Sequence, residues 1–157
     1  PSPCQPNVPG IVTPAHYTAC EGDPSLNIMP VLDFGGNPPD PNLYSILYVI
    51  SDENQVVLDI VPSPNLITYA PGSYLICIMS ILTSDIPLLP SPNGTLEVMD
   101  IGLDIFNNLY CAELNASCSV IDIEDQLDLP ITIDQKMSVQ VSWLHTQLTI
   151  HTDLKLT

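Results

Sequence analysis

The sequence is nearly devoid of positive charge. Its 157 residues hold only two basic side chains against 18 acidic ones, which gives a formal net charge of −16. The two bases are Lys136 and Lys155, so residues 1–135 contain neither lysine nor arginine. A surface of this kind repels a nucleic-acid backbone and an anionic membrane. We therefore expect no nucleic-acid partner and no membrane insertion, and the charge favours solubility.

Long apolar runs and catalytic signatures are missing as well. There is no apolar run of about 18 residues and no signal-peptide pattern, so we expect a soluble chain, either processed for secretion or cut from a longer protein. A nucleophile elbow, a P-loop, an H-E-x-x-H helix and a dinucleotide-binding glycine pattern are all absent. The sequence therefore predicts a protein that is not an enzyme.

Cysteine is present, but not in a metal-binding pattern. No C-x-x-C pair occurs, and the spacing typical of zinc ligands is missing. We expect an oxidising compartment, about two disulfides and one odd thiol, although the sequence does not choose the pairing. The alternative is that several cysteines are buried free thiols, and the apolar surroundings of Cys77 favour it for that role. The disulfide candidates are Cys4, Cys20, Cys77, Cys111 and Cys118.

The most strand-like stretch is Ser73–Leu82 (SYLICIMSIL), which carries no charge. Both of its alternating sets of side chains are apolar, so we predict a strand covered on both faces at the centre of the fold. Tyr44–Ser51 and Gln55–Val61, separated by a short polar turn, predict a β-hairpin. Alternation in Thr95–Ile101 predicts a further strand. Short strands split by proline and glycine indicate an all-β, antiparallel β-sandwich.

Three regions are distinguished by composition. Residues 1–16 are rich in proline and predict an extended arm or linker. Residues 17–128 hold the predicted sandwich, and residues 129–157 form an additional C-terminal β-segment. Within 137–157 the apolar positions change from odd to even numbers at Leu144, which predicts a long strand with a bulge or bend.

Residues 18–123 resemble a type of Ig-like repeat found in very large surface proteins of Bacteroidota. The resemblance rests on loose motifs of turn residues and cysteines. They are Cys20-Glu21-Gly22-Asp23, YSILYVISDENQVV at 44–57, Ala70-Pro71-Gly72-Ser73-Tyr74, Ser91-Pro92-Asn93-Gly94, and Tyr110-Cys111-Ala112-Glu113-Leu114 with Cys118. It implies an Ig-like sandwich, export by the type IX secretion system, and a role in adhesion or surface filaments.

The chain's end, Trp143–Leu156, is similar to the opening of a type IX C-terminal sorting domain. The later N-x-x-G-[QR] strand of such domains does not follow. The segment is therefore interpreted either as the start of a sorting domain or as a last structural strand.

The residues are consistent with two kinds of ligand site, one for calcium and one for a glycan. An acidic cluster, the candidate calcium site, offers hard oxygen ligands where the sandwich is predicted to end, although no EF-hand pattern is present. Its members are Asp122, Glu124, Asp125 and Asp128. Tyr44 and Tyr48 share a strand face, so they are candidates for glycan contact. The histidines His16, His145 and His151 are interpreted as solvent-facing strand residues.

These patterns lead to one expected function and one alternative. The first is a non-enzymatic extracellular structural subunit or repeat of a bacterial surface filament or adhesin. Its partners would be copies of itself or neighbouring repeats, joined through the arm and the C-terminal strand. The alternative is a glycan- or protein-binding module of a secreted bacterial protein. Apart from possible calcium, no cofactor is expected.

Overall fold

The computed structural model describes Cys4 and residues 11–13, 15–126, 140–144 and 147–151. The chain divides into two compact units, Pro1–Gln126 and Leu127–Thr157. The strands are β1 (Ile11–Thr13), β2 (His16–Cys20), β3 (Val31–Asp33), β4 (Tyr44–Asp52), β5 (Val57–Val61), β6 (Gly72–Leu82), β7 (Ala112–Leu114), β8 (Ser119–Glu124), β9 (Gln140–Leu144) and β10 (Gln147–His151). The helical elements are α1 (Val98–Phe106) and two 3-10 turns, Pro24–Leu26 and Thr83–Leu88. None of these helices, within the described residues, is long and apolar enough to cross a membrane.

The first unit is β-rich and is built on a six-stranded mixed sheet. Its order is β2-β8-β6-β4-β5, and β7 pairs with a further part of β6. The expected purely antiparallel arrangement is wrong at one place, because β2 runs parallel to β8 while the other described pairs are antiparallel. A parallel pair needs a long connection. Here almost the entire first unit separates β2 from β8 in the sequence. Their parallel pairing therefore cannot be predicted from neighbouring residues.

The central strand is β6, close to the bounds that its sequence predicts. It pairs with β4 on one side and with β8 and β7 on the other. Ile76 and Ile78 are fully buried in one apolar cluster, whereas Met79 and Ile81 are fully buried in a second one. Since successive side chains of a strand point to opposite faces, the two clusters lie on the two faces of the sheet. The expectation of a strand covered on both faces is confirmed.

Different segments cover the two faces. On the first, Leu26 and Leu66 are fully buried, and the segments that carry them are joined by a hydrogen bond from the Leu66 N–H to the Leu26 carbonyl oxygen, 2.9 Å. On the second, Ile101 from α1 and Tyr110 complete the core. The predicted hairpin is confirmed as β4 and β5, with a register shift between Ile50 and Ser51.

From Val98 onward, a helix replaces the strand that alternation predicts at Thr95–Ile101. Side chains before α1 and in its first turn accept hydrogen bonds from backbone N–H groups, and one of these groups, that of the N-cap residue Glu97, has no partner within the helix. The Asn93 Oδ1 atom accepts hydrogen bonds from the N–H groups of Thr95 and Leu96, and Asp100 Oδ2 accepts one from the Glu97 N–H. These local bonds favour the turn and the helix over an extended strand.

The terminal segments also differ from simple extended chains. Within the predicted arm 1–16, β1 pairs with β3 in a separate two-stranded sheet. Within 137–157, where one long bent strand was expected, β9 and β10 form an antiparallel pair in which Gln147 lies opposite Leu144. The change of apolar phase at Leu144 therefore marks a reversal of the chain rather than a bulge.

Candidate functional site

Two disulfides brace the first unit. Cys4 is bonded to Cys111, and Cys77 is bonded to Cys118 with 4.3 Å between their Cα atoms. Cys20 is exposed and unbonded. The predicted number of bridges is confirmed, but the choice of Cys77 as a free thiol is wrong. The pairing of β6 with β8, which begins one residue after Cys118, brings the two sulfur atoms together. Two disulfides indicate an oxidising extracellular or periplasmic environment.

A polar network ties three neighbouring strands together at one end of the sheet. The His16 ring Nε2 on β2 lies 2.6 Å from Asp122 Oδ2 on β8. The Ser73 hydroxyl on β6 donates a 2.7 Å hydrogen bond to the other carboxylate oxygen, Oδ1. The hydrogen bonds from Ser73 and His16 lower the pKa of Asp122 from its ordinary value. We call these three residues the strand brace.

The strand brace contains a serine, a histidine and an aspartate, but not in an order that activates a nucleophile. A catalytic histidine must accept the serine proton, with the carboxylate on its far side. Here Asp122 lies between the other two and contacts both. The Ser73 proton is therefore directed to a carboxylate of lowered pKa, which is a weak base. The geometry fits a crosslink between strands.

The members of the candidate calcium site lie at and just after the end of β8. Asp122 belongs to the strand brace, and the main-chain carbonyl of Glu124 accepts a hydrogen bond from the Glu21 N–H, 2.8 Å. Asp125 is exposed, and Asp128 lies outside the described residues. Within the part of the chain that the structure describes, no group of three or more His, Cys, Asp or Glu could hold a metal ion. The calcium site stays a prediction.

The tyrosines proposed for glycan contact are not a pair of exposed rings. Tyr48 is only 7% exposed and belongs to the apolar cluster on the first face. Burial raises the pKa of its hydroxyl. Tyr44 is half-buried. Because sugars stack on accessible ring faces, the buried Tyr48 does not serve this role, and the prediction of a two-ring platform is corrected.

The three histidines are divided between the two units of the chain. His16 belongs to the strand brace and is 62% exposed. His151 ends β10, in the second unit, and His145 lies outside the described residues. The expected solvent-facing position is confirmed for His16. For His145 and His151, whose side chains lie outside the described part of the chain, it stays a prediction.

Sequence reasoning missed an apolar surface on α1. Three large side chains on this helix are exposed: Met99 by 62%, Leu103 by 52% and Phe106 by 82%. Their spacing of i, i+4 and i+7 puts them on one side of the helix, and we call them the α1 stripe. The spacing was visible in the sequence, but the same stretch also alternates as a strand does.

A groove of about 560 Å³ runs beside the α1 stripe. One wall is α1, with Met99, Gly102 and Leu103, and the opposite wall includes Leu114 and Ala116. Leu75 and the disulfide between Cys77 and Cys118 line it from the sheet side. More of the groove surface is apolar than polar, and Gln55 and Asn115 are among the residues that line it. We call it the α1 groove.

Comparisons of this chain with protein-family models, with curated proteins and with solved structures give no match. Its function must therefore be argued from its own geometry.

Proposed function

We propose that this chain is a non-enzymatic structural subunit, or a repeat, of a bacterial surface filament or adhesin that assembles through its terminal segments. The observation that carries the proposal is the division of the chain into a braced sheet unit, Pro1–Gln126, and a separate small unit, Leu127–Thr157. The first unit suits a load-bearing body, and the second suits a connector to a neighbouring molecule.

Covalent bracing supports the structural role. One disulfide joins Cys4, in the proline-rich N-terminal region, to Cys111 across 107 residues of sequence. The other joins the central strand to the start of β8. A crosslink of this kind stabilises a fold mainly by restricting the unfolded chain. It also keeps the N-terminal region attached to the sheet unit when the molecule is pulled or transiently opened.

The small unit supports the assembly role. Its described strands are β9 and β10, five residues each, which pair only with each other. An isolated two-stranded hairpin is marginally stable in water, and packing against a further sheet or helix is needed to stabilise it. A hairpin that follows a complete sheet unit is therefore well suited to bind a second molecule.

The finer parts of the proposal rest on the resemblance in residues 18–123. An Ig-like relationship for the sheet unit, export by the type IX system and location at the cell surface all come from it. A disulfide-braced, β-rich domain fits such an origin. We regard the C-terminal segment as an assembly element, and a sorting role for it is the alternative.

Assembly of the full chain tests the proposal. We expect sedimentation velocity to show oligomers whose fraction rises with protein concentration, and negative-stain electron microscopy to show linear particles. Chains without residues 137–157 should lose assembly, and chains without residues 1–14, with Cys111→Ser to avoid a free thiol, should assemble more weakly. A full chain that stays monomeric at all concentrations, or assembly unchanged by both deletions, would reject the proposal.

A binding module for a protein is the second candidate, and the α1 stripe favours it. Three adjacent exposed apolar side chains are a typical feature of a protein-binding surface. Glycan binding through Tyr44 and Tyr48 has lost its structural support, because Tyr48 is buried. A monomeric chain that binds a protein of the cell surface, and loses the binding when Leu103 is replaced by Glu, would favour this candidate.

A further inference from the structure

The helix α1 is apolar on its outer side as well as on its inner side. Inside, Ile101 is fully buried, and Val98 and Ile105 pack against the same cluster. Outside lies the α1 stripe, whose three side chains are each more than half exposed. A surface helix of a soluble domain normally carries polar residues on its outer side. The outer side of α1 therefore has the character of an interface.

Gly102 keeps the α1 groove open at a cost in helix stability. Apart from its chain neighbours and the backbone of its own helix, a Cβ atom built at Gly102 would meet nothing within 4 Å. Glycine inside a helix is less favourable than alanine by about 1 kcal/mol. The space beside Gly102 could thus accept a larger side chain, which would also favour the helix. With glycine at position 102, no side chain projects from this wall into the groove.

We infer that the α1 groove receives the β9–β10 hairpin of a second copy of this chain. This inference rests on the proposed function, and it names the surface that the connector binds. An isolated hairpin needs an apolar surface to pack on, and the α1 stripe together with the α1 groove provides one on the sheet unit. The groove belongs to residues 1–126 and the hairpin to residues 127–157. Every copy therefore carries both surfaces, and each contact uses the groove of one copy and the hairpin of another.

Charge supports this choice of occupant. The first unit contains acidic side chains and no lysine or arginine, and Asp100 and Asp104 lie on α1 between the members of the stripe. The only two lysines of the chain flank the hairpin, Lys136 before β9 and Lys155 after β10. Residues 127–157 also hold Asp128, Asp134 and Asp153, so their formal net charge is −1, whereas residues 1–126 hold 15 acidic side chains and no base. Contact of the nearly neutral segment with a first unit therefore meets less repulsion than contact between two first units.

The contact is heterologous, because the groove of one copy binds the hairpin of the next. A molecule that uses its hairpin in one contact keeps its groove for another copy. Such contacts generate open chains unless the rotation between copies closes a ring. Linear growth of the kind that a surface filament requires then follows from a single repeated contact.

The first test blocks the groove without removing any contact of the core. In the full-length, disulfide-bonded chain, Gly102→Leu places a side chain in the open space of the groove wall. We expect thermal stability of the monomer to be unchanged or higher, and the dissociation constant for self-association to rise about tenfold or more, as for the loss of a central interface contact. A misfolded variant would show lower thermal stability as well as weaker association. Weaker association with retained thermal stability therefore identifies a blocked groove.

A matched pair of charged variants provides the control. Met99→Glu changes an exposed member of the stripe, and Met29→Glu changes a methionine that is 87% exposed beside a cavity lined in part by Ile121, on the other face of the sheet. The added charge is the same in both. We expect weaker association only for Met99→Glu. Equal weakening by both would show that net charge, rather than the groove, controls assembly, and it would overturn the inference.

Mixing two defective chains tests the direction of the contact. Leu103→Glu retains an intact hairpin, and Trp143→Glu, in β9, retains an intact groove. Neither variant should associate alone, but an equimolar mixture should form heterodimers in sedimentation velocity and native mass spectrometry. No heterodimer in the mixture would overturn the inference.

The outcomes for the two proposals are distinct. A wild-type chain that assembles, with Gly102→Leu and Met99→Glu assembling equally well, would overturn the groove contact and leave the assembly function standing. A wild-type chain that remains monomeric would overturn both. A chain whose groove is occupied by its own hairpin would also remain monomeric, and it would overturn both proposals in the same way.

Discussion

Among single residues, Asp122 has the clearest electrostatic role. It joins β2 and β6 through β8, and its two oxygen atoms contact His16 and Ser73. The hydrogen bonds lower its pKa relative to the ordinary value. Its side chain is 37% exposed, so water weakens these interactions. The expected effect on stability is therefore a modest dependence on pH rather than a large energy.

The sign of that dependence follows from the lowered pKa. The stabilisation is fully present above the pKa of the aspartate in the unfolded chain, about 3.9. It is lost as the pH falls through the lower pKa of Asp122 in the folded chain. We expect the unfolding free energy of the wild type to fall more steeply between about pH 5 and pH 3 than that of Asp122→Asn. Urea unfolding followed by circular dichroism measures both. Asp125→Asn, at an exposed position nearby, is the control, and parallel curves for wild type and Asp122→Asn would contradict the prediction.

Among the elements, the bond between Cys77 and Cys118 fixes the central strand β6 relative to the start of β8. The two residues are separated by 41 positions in the sequence. The bond also lines the α1 groove, so it holds the floor of the proposed docking surface. Its loss affects both the stability of the sheet and the shape of the groove.

The size of the stability effect follows from the closed loop. For a loop of this length, the chain-entropy estimate is about 4 kcal/mol. We expect the double variant Cys77→Ala/Cys118→Ala to lose a free energy of unfolding of this order in urea titrations. Cys20→Ser is the control, since that thiol is exposed and unbonded, and its change should stay within about 0.5 kcal/mol. Similar losses in both variants would contradict the assigned role of the bond.

For the whole molecule, net charge opposes assembly. Each copy carries a formal charge of −16, so neighbours in a filament repel one another over distances comparable to the Debye length. The two lysines reduce this repulsion only near the hairpin. In the proposed contact, the apolar surface of the α1 groove must therefore supply most of the favourable free energy of association.

A salt dependence follows from this balance. Raising the ionic strength from about 0.1 M to about 1 M shortens the Debye length from about 10 Å to about 3 Å. We expect the assembled fraction, measured by sedimentation velocity at constant protein concentration, to increase with sodium chloride. A decrease would show that attraction between the lysines and the acidic surface outweighs the general repulsion.

Several features of the fold could be predicted because their signals are local. The run of uncharged β-formers in β6 and the polar turn between β4 and β5 lie within a few consecutive residues. The start of α1 was predicted wrongly as a strand, because Thr95–Ile101 satisfies both periods at once. Hydrogen bonds accepted by the side chains of Asn93 and Asp100 favour the helix. The alternation of apolar and polar residues gives no sign of these bonds.

The candidate site could be predicted only in part. The acidic and aromatic residues were visible, but their burial was not, and burial of Tyr48 removed the expected glycan platform. The α1 stripe had a detectable spacing, yet its exposure depends on which side of the helix faces the sheet. That orientation is set by the packing of Ile101 against the second cluster.

By itself, the sequence determined the β-rich character, the central strand, the acidic surface and the expectation of an oxidising compartment. Composition and short-range alternation are sufficient for these, because they depend on neighbouring residues. Only the tertiary structure decided the parallel edge strand, the partners of Cys77 and Asp122, and the open groove beside Gly102. His16 and Asp122 are 106 residues apart, and contacts at such separations arise only when the complete sheet brings distant segments together.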